Sequence, residues 1–122
     1  MILGIGVDII KTSRFLSWEK DRKLSARFFA REELDYIYSR GKLAYLSFAS
    51  HFAAKEAYGK AMGVGLKGMR LKDISVYFSE GRPLLKLENN AKAIFEASGA
   101  KAIHLSLSHE KENAIAFVII ER

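Results

Sequence analysis

Two carboxylates in this sequence stand where a carboxylate needs a reason. Asp8 follows two glycines in GIGVD, so side chains are stripped from its own side of an extended segment, leaving room for another backbone or a ligand to come close. Glu56 lies in HFAAKEAYGKAMG, where ~100° per residue gives it Ala49, Phe52, Ala53, Gly59, Lys60 and Gly63 as helical neighbours. A carboxylate among alanine, phenylalanine and glycine requires a charge or a hydrogen-bond donor, and a divalent cation would serve. Glu56 and Lys60 also read as a plain surface pair at i,i+4, contributing ~0.2–0.5 kcal/mol. Nothing in the spacing brings Asp8 and Glu56 together. If they meet, two carboxylates are too few for a calcium cage but suit magnesium, which keeps waters and takes further ligands from substrate phosphates.

Lys60, one turn past Glu56, would then offer a point charge to a phosphate, with backbone N–H groups of Gly63, Gly65 and Gly68 nearby. Such glycines more often cap a helix. The standard phosphate loops are excluded: Gly4-Ile5-Gly6 lacks a third glycine, and the Gly63 to Gly68 stretch is followed by Met69. His104 alternates with Ser106 and Ser108 on the polar side of a strand, and His109 opens the turn after it. No histidine spacing reads as a zinc motif or a nucleophile elbow.

These residues need elements to hold them. Residues 2–10 alternate as a strand, with Leu3, Ile5, Val7 and Ile9 expected on a core face and Gly4, Gly6 and Asp8 on the other. From Lys11 to about Gly41 the pattern is helical in two or three pieces. The clearest helix runs from about Leu43 to Met62 and stops at Gly63 and Gly65. A strand at Ile74 to Ser79, a turn at Glu80-Gly81-Arg82-Pro83 and a strand at Leu84 to Leu87 form a hairpin. Asn90 is positioned to cap a helix through Ala97, and two strands close the chain at about Ala102 to Ser108 and Ala114 to Ile120. The expected class is α+β, one domain over residues 1–122, an antiparallel sheet packed on a long central helix.

The composition agrees with that. Of 122 residues, 49% are hydrophobic and 28% charged, an ordinary globular balance. The absence of cysteine excludes disulfides and zinc-thiolate sites and fits a cytoplasmic protein. The apolar opening stops at Lys11, short of the ~20 residues a membrane span needs. The net charge of +6 is concentrated in residues 11–31, where seven cations face Glu19 and Asp21. Such a region steers an acidic partner without choosing among nucleic acid, anionic lipid and acidic protein.

Three segments together resemble the holo-acyl-carrier-protein synthase family of 4'-phosphopantetheinyl transferases: GIGVDII at 4–10, HFAAKEAYGKAMGVGL at 51–66 and LSLSHEKENAIAFVIIE at 105–121. With Arg14 and the turn at 81–83, the resemblance spans the chain in order. It implies transfer of the phosphopantetheine arm of coenzyme A to a carrier-protein serine, releasing 3',5'-ADP, in fatty acid biosynthesis. Asp8 and Glu56 match the magnesium ligands, and Lys60 the lysine on the pyrophosphate. Glu56 is the candidate base for the serine proton. Gly63 matches the stretch lining the nucleotide, Pro83 the turn against the adenine, and Ser108 and His109 the pair near the 3'-phosphate. His51 stands where relatives often carry arginine, as a phosphate contact dependent on its protonation.

The family also gives the basic segment a partner, acidic acyl carrier protein, docked at Arg14; Arg22 and Arg27 join that docking surface on the ground of charge and position. The resemblance to single-unit members of the family implies a homotrimer with coenzyme A held between neighbouring subunits. A nucleic-acid-binding domain is the competing reading of the charge, but no RNP-type strand, GXXG clamp or helix-turn-helix pattern supports it. A purely structural oligomer subunit is a third reading, and it predicts no response to magnesium or coenzyme A. No nucleic-acid or membrane partner is expected.

Overall fold

The computed structural model describes residues 1–122 and has the α+β class expected. Strand β1 (Ile2–Lys11) leads through two short 3-10 turns into helices α1 (Arg22–Phe28), α2 (Arg31–Ser39) and α3 (Ala44–Ala61). The hairpin β2 (Ile74–Ser79) and β3 (Arg82–Leu87), helix α4 (Asn89–Ala97) and strands β4 (Ala102–His109) and β5 (Asn113–Glu121) follow. Strands β1, β5 and β4 form one antiparallel sheet in that order, while β2 and β3 form a separate two-stranded sheet.

Helix α3 is the axis of the molecule. Its 18 residues hold no proline, its alanines carry high helix propensity, and Gly63 with φ +79° ends it in the left-handed region. Small residues on one side, Ala53, Ala57 and Ala61, let the helix settle close onto Ala116, Val118 and Ile120 of the main sheet. Toward its N-terminus, Phe48 and Phe52 pack with Phe15, Phe29 and Ile37, fastening α1 and α2 to the same helix. No helix is long and apolar enough to cross a membrane.

Three details correct the sequence reading. The face of β1 turned to the core is the glycine face: Leu3, Ile5, Val7 and Ile9 are all exposed, while Gly6 is buried. Alternation identifies two faces but does not say which one the chain itself covers. In the hairpin, the turn is only Glu80-Gly81, both with positive φ, and Arg82 and Pro83 already belong to β3. Pro83 pairs with Phe78 in this two-stranded ribbon, where a missing N–H is tolerated at an edge. Asn90 does not cap α4; its side-chain amide donates to the carbonyl of Gly68, and Asn89 instead takes the left-handed turn into the helix.

Candidate functional site

The glycines of β1 build the first part of the site. A Cβ on Gly4 would come within 1.9 Å of the Ala61 carbonyl oxygen, and one on Gly6 within 2.0 Å of that of Ala57. Backbone therefore lies directly on backbone, and the next residue on the same face, Asp8, is carried along α3 past Ala57 toward the middle of the helix. Its Oδ1 accepts from the Lys60 ammonium at 3.2 Å, and Lys60 also donates to the carbonyl of Val7 at 3.0 Å. Asp8 is mostly covered, with 18% of its side chain accessible, whereas Lys60 is half exposed.

Glu56, one turn before Lys60, is partly buried beside them. Burial pushes its carboxyl above the ordinary value, the Asp8 charge adds to that, and Lys60 and Arg14 oppose it. The four side chains are thus one electrostatic group: two carboxylates that repel and two cations that offset them. Arg14, in the 3-10 turn after β1, stands over the Phe52 ring at 4.8 Å. Gly63 follows at the end of α3, its N–H bonded to the Lys60 carbonyl at 3.0 Å. Gly59 lets the loop behind it close in, since a Cβ there would meet Gly65 backbone at 2.7 Å. No group of three or more metal-ligating His, Asp or Glu side chains forms in the chain.

The other singled-out residues line clefts away from this group. Pro83 borders a cavity of about 210 Å³ with Arg82, Leu84, Ile103, His104 and Leu105. Ser108 and His109 border one of about 360 Å³ with Ile9, Glu110, Asn113 and Ile115. Because Ile9 and Asp8 are adjacent on β1, that cleft opens on the opposite face of the strand from the carboxylates. His109 also borders a third cavity, about 210 Å³, together with Arg40, Ser47, Ser50, Phe78 and His51. Arg22 and Arg27 are exposed on α1, each over an aromatic ring, Tyr38 and Phe28 respectively.

His51 is enclosed rather than offered to solvent. Its Nδ1 is 3.0 Å from Glu33 Oε2, its Nε2 has no partner, and burial, against the pull of Glu33, holds it below the usual histidine value. Glu33 and Lys55, which bond at 2.6 Å with both side chains fully covered, are the polar residues that sequence reasoning missed. The available signal was charge at two positions of otherwise apolar packing surfaces, Glu33 before Leu34 and Lys55 within an alanine-rich helix.

The sequence profile of the 4'-phosphopantetheinyl transferase superfamily matches residues 4–118. A holo-[acyl-carrier-protein] synthase of Treponema denticola is 52% identical over 122 residues, covering 99% of both chains. Among solved structures, the holo-[acyl-carrier-protein] synthase of Neisseria meningitidis superposes with a TM-score of 0.90 at 32% identity, covering all of both chains. A holo-(acyl-carrier-protein) synthase from Bacillus anthracis, solved in complex with CoA (3',5'-ADP), gives 0.80 at 35% identity, covering 99% of this chain and 97% of the other.

Proposed function

The chain belongs to the 4'-phosphopantetheinyl transferase superfamily, and from that premise we propose how its residues carry the phosphopantetheine arm of coenzyme A to the serine of an apo-acyl carrier protein. The serine oxygen forms a bond to the β-phosphorus, the bond from that phosphorus to the bridging oxygen breaks, and 3',5'-ADP leaves. Such a reaction depends on positioning and on offsetting charge.

Asp8 and Glu56 are the proposed magnesium ligands. What supports the fit is their mutual repulsion across a partly covered site with no third carboxylate, the sparse donor set that magnesium accepts when substrate phosphates complete it. When bound, the metal would neutralise pyrophosphate charge. Lys60, tethered to Asp8 and Val7, is aimed to offset charge on the departing bisphosphate. Glu56, raised by burial and by Asp8, is the assigned base, taking the serine proton at one carboxylate oxygen. For the nucleotide we assign Gly63, Pro83, Ser108 and His109, with His51 behind them as the inner wall of the third cavity.

A homotrimer is the proposed assembly. Ile5, Val7 and Ile9 stand beside Ile115 and Phe117 on the outward face of the sheet, an apolar area that a second copy would cover. The Ser108 cleft opens on that face and the Asp8 group on the other, so a nucleotide held in the first reaches the carboxylates most simply from a neighbouring copy. Arg14, Arg22 and Arg27 form the proposed docking surface for an acidic carrier, and the reaction is assigned to the cytoplasm, in fatty acid synthesis.

The observation that carries the residue assignment is the contact of Gly4 and Gly6 with α3, which seats Asp8 against Lys60 beside Glu56. Asp8→Ala and Glu56→Ala test it: each should abolish transfer while the melting curve stays cooperative, and retained transfer in either would remove that residue from the site.

A further inference from the structure

The β2–β3 hairpin shares no strand with the main sheet, so its backbone is not held by the sheet's ladder. It is held instead by one carboxylate and one ammonium. Glu33 Oε2 accepts from the Val76 N–H at 3.0 Å and from His51 at 3.0 Å, while Oε1 accepts from the Ala30 N–H at 2.9 Å and from Lys55 at 2.6 Å. Lys55 gives its other two protons to the carbonyls of Leu71 at 3.0 Å and Ile74 at 2.5 Å. Every donor and acceptor of the pair is used, and both side chains are inaccessible to water. The remaining fastening of the hairpin is apolar, chiefly Ile74 and Val76 in the core.

The pair also guides the far end of the hairpin. The His51 ring, fixed through Glu33, stacks on Tyr36, and Phe78 lies against both rings at 6.1 and 4.9 Å. Phe78 is the register partner of Pro83. On α3, Lys55 directly precedes Glu56, and the ~100° step sends the two side chains to different sides of the helix. One helix therefore carries the hairpin tether on one side and the Asp8 group on the other.

We propose that Glu33 is a positioning residue for the nucleotide half of the donor: by tying β2 to α3 through Val76 and Lys55, it sets the place of Pro83 relative to Ser108 and His109, at the end of the strand β4 that packs on the same helix. This rests on the assignment of Pro83 to the nucleotide. A hydrophobic core could hold a hairpin without fixing its lateral position, whereas directed bonds from a buried carboxylate fix it. Loss of the tether costs local order first, and the donor then has to supply that order on binding.

The test compares the full chain with Glu33→Gln and with the double variant Glu33→Gln/Lys55→Gln, which leaves no unpaired buried charge. Hydrogen exchange in the absence of substrate is expected to quicken in peptides covering residues 74–87 by roughly ten- to a hundredfold, the order for a lost charge-assisted bond, while α3 and β1 keep their protection. In transfer assays KM for coenzyme A should rise about fivefold or more with kcat within about twofold. Uniform acceleration of exchange across the chain, or a fall in kcat at unchanged KM, would overturn the proposal, as would failure of both variants to fold. Inactivity of the unaltered protein would count against the transferase assignment, while the exchange pattern would still decide whether Glu33 tethers the hairpin.

Discussion

Gly6 of β1 and Ala57 of α3 meet backbone to backbone, with 2.0 Å between the Ala57 carbonyl oxygen and the place a Cβ on Gly6 would occupy. No flexible side chain can yield at that point, so Gly6→Ala must push β1 off the helix. The expected cost is ~1–3 kcal/mol of stability, the range for overpacking. Transfer should fall further than stability alone explains, because Asp8 leaves Lys60. A thermal melt together with an activity assay at a temperature where the variant is folded checks both.

The reversed facing of β1 also marks how far the sequence could be read. Element order, the extent of α3 and the strand at Ile74–Ser79 follow from local pattern: alanine-rich helix, glycine stops and period-2 alternation. What alternation cannot express is which face the chain covers by itself. Leu3, Ile5, Val7 and Ile9 look like core because they are apolar, yet the covered face is the one whose glycines let α3 approach. The Glu33–Lys55 pair was invisible for a related reason. A buried charge is legible only through its partner, and these partners lie 22 residues apart on different helices.

An outward apolar face needs a cover. Val7 and Phe117 are register partners on that face, 52% and 40% exposed. Phe117→Lys should convert a trimer into a monomer in sedimentation velocity and lower transfer with it, since a desolvated lysine at an interface has no partner there. A wild-type protein sedimenting as a monomer at micromolar concentration would remove the trimer from the account.

Stability should fall on acidification in two stages. Burial alone would raise Glu33, but the Lys55 charge and the His51 bond outweigh it and hold its carboxyl below 4.5; burial holds His51 below 6.5. In both cases the unfolded chain binds protons more readily than the folded one, so stability rises with pH. The contribution of these two groups is complete above pH 6.5, declines as His51 of the unfolded chain takes up its proton, and declines again below 4.5 as pH falls through the folded value of Glu33. Melting temperature against pH should show both stages, and His51→Gln should flatten the first. A first stage unchanged in His51→Gln would assign it to another group.

Charge reversal on the α1 part of the proposed docking surface should act on the carrier alone. Arg22→Glu and Arg27→Glu should each raise KM for the acyl carrier protein roughly two- to fivefold at low salt, the scale of one exposed ion pair, with the difference fading as ionic strength rises. Arg14→Glu should do more, because Arg14 also offsets the carboxylate of Glu56. Values of KM for the carrier unchanged at low salt would clear α1 from the interface.

Mass spectrometry of the carrier reads the transfer itself directly. Incubated with this protein, coenzyme A and magnesium, an apo-acyl carrier protein should gain the mass of one phosphopantetheine on its serine, with release of 3',5'-ADP in equal amount. A carrier of unchanged mass under these conditions, with the protein folded, would contradict the account.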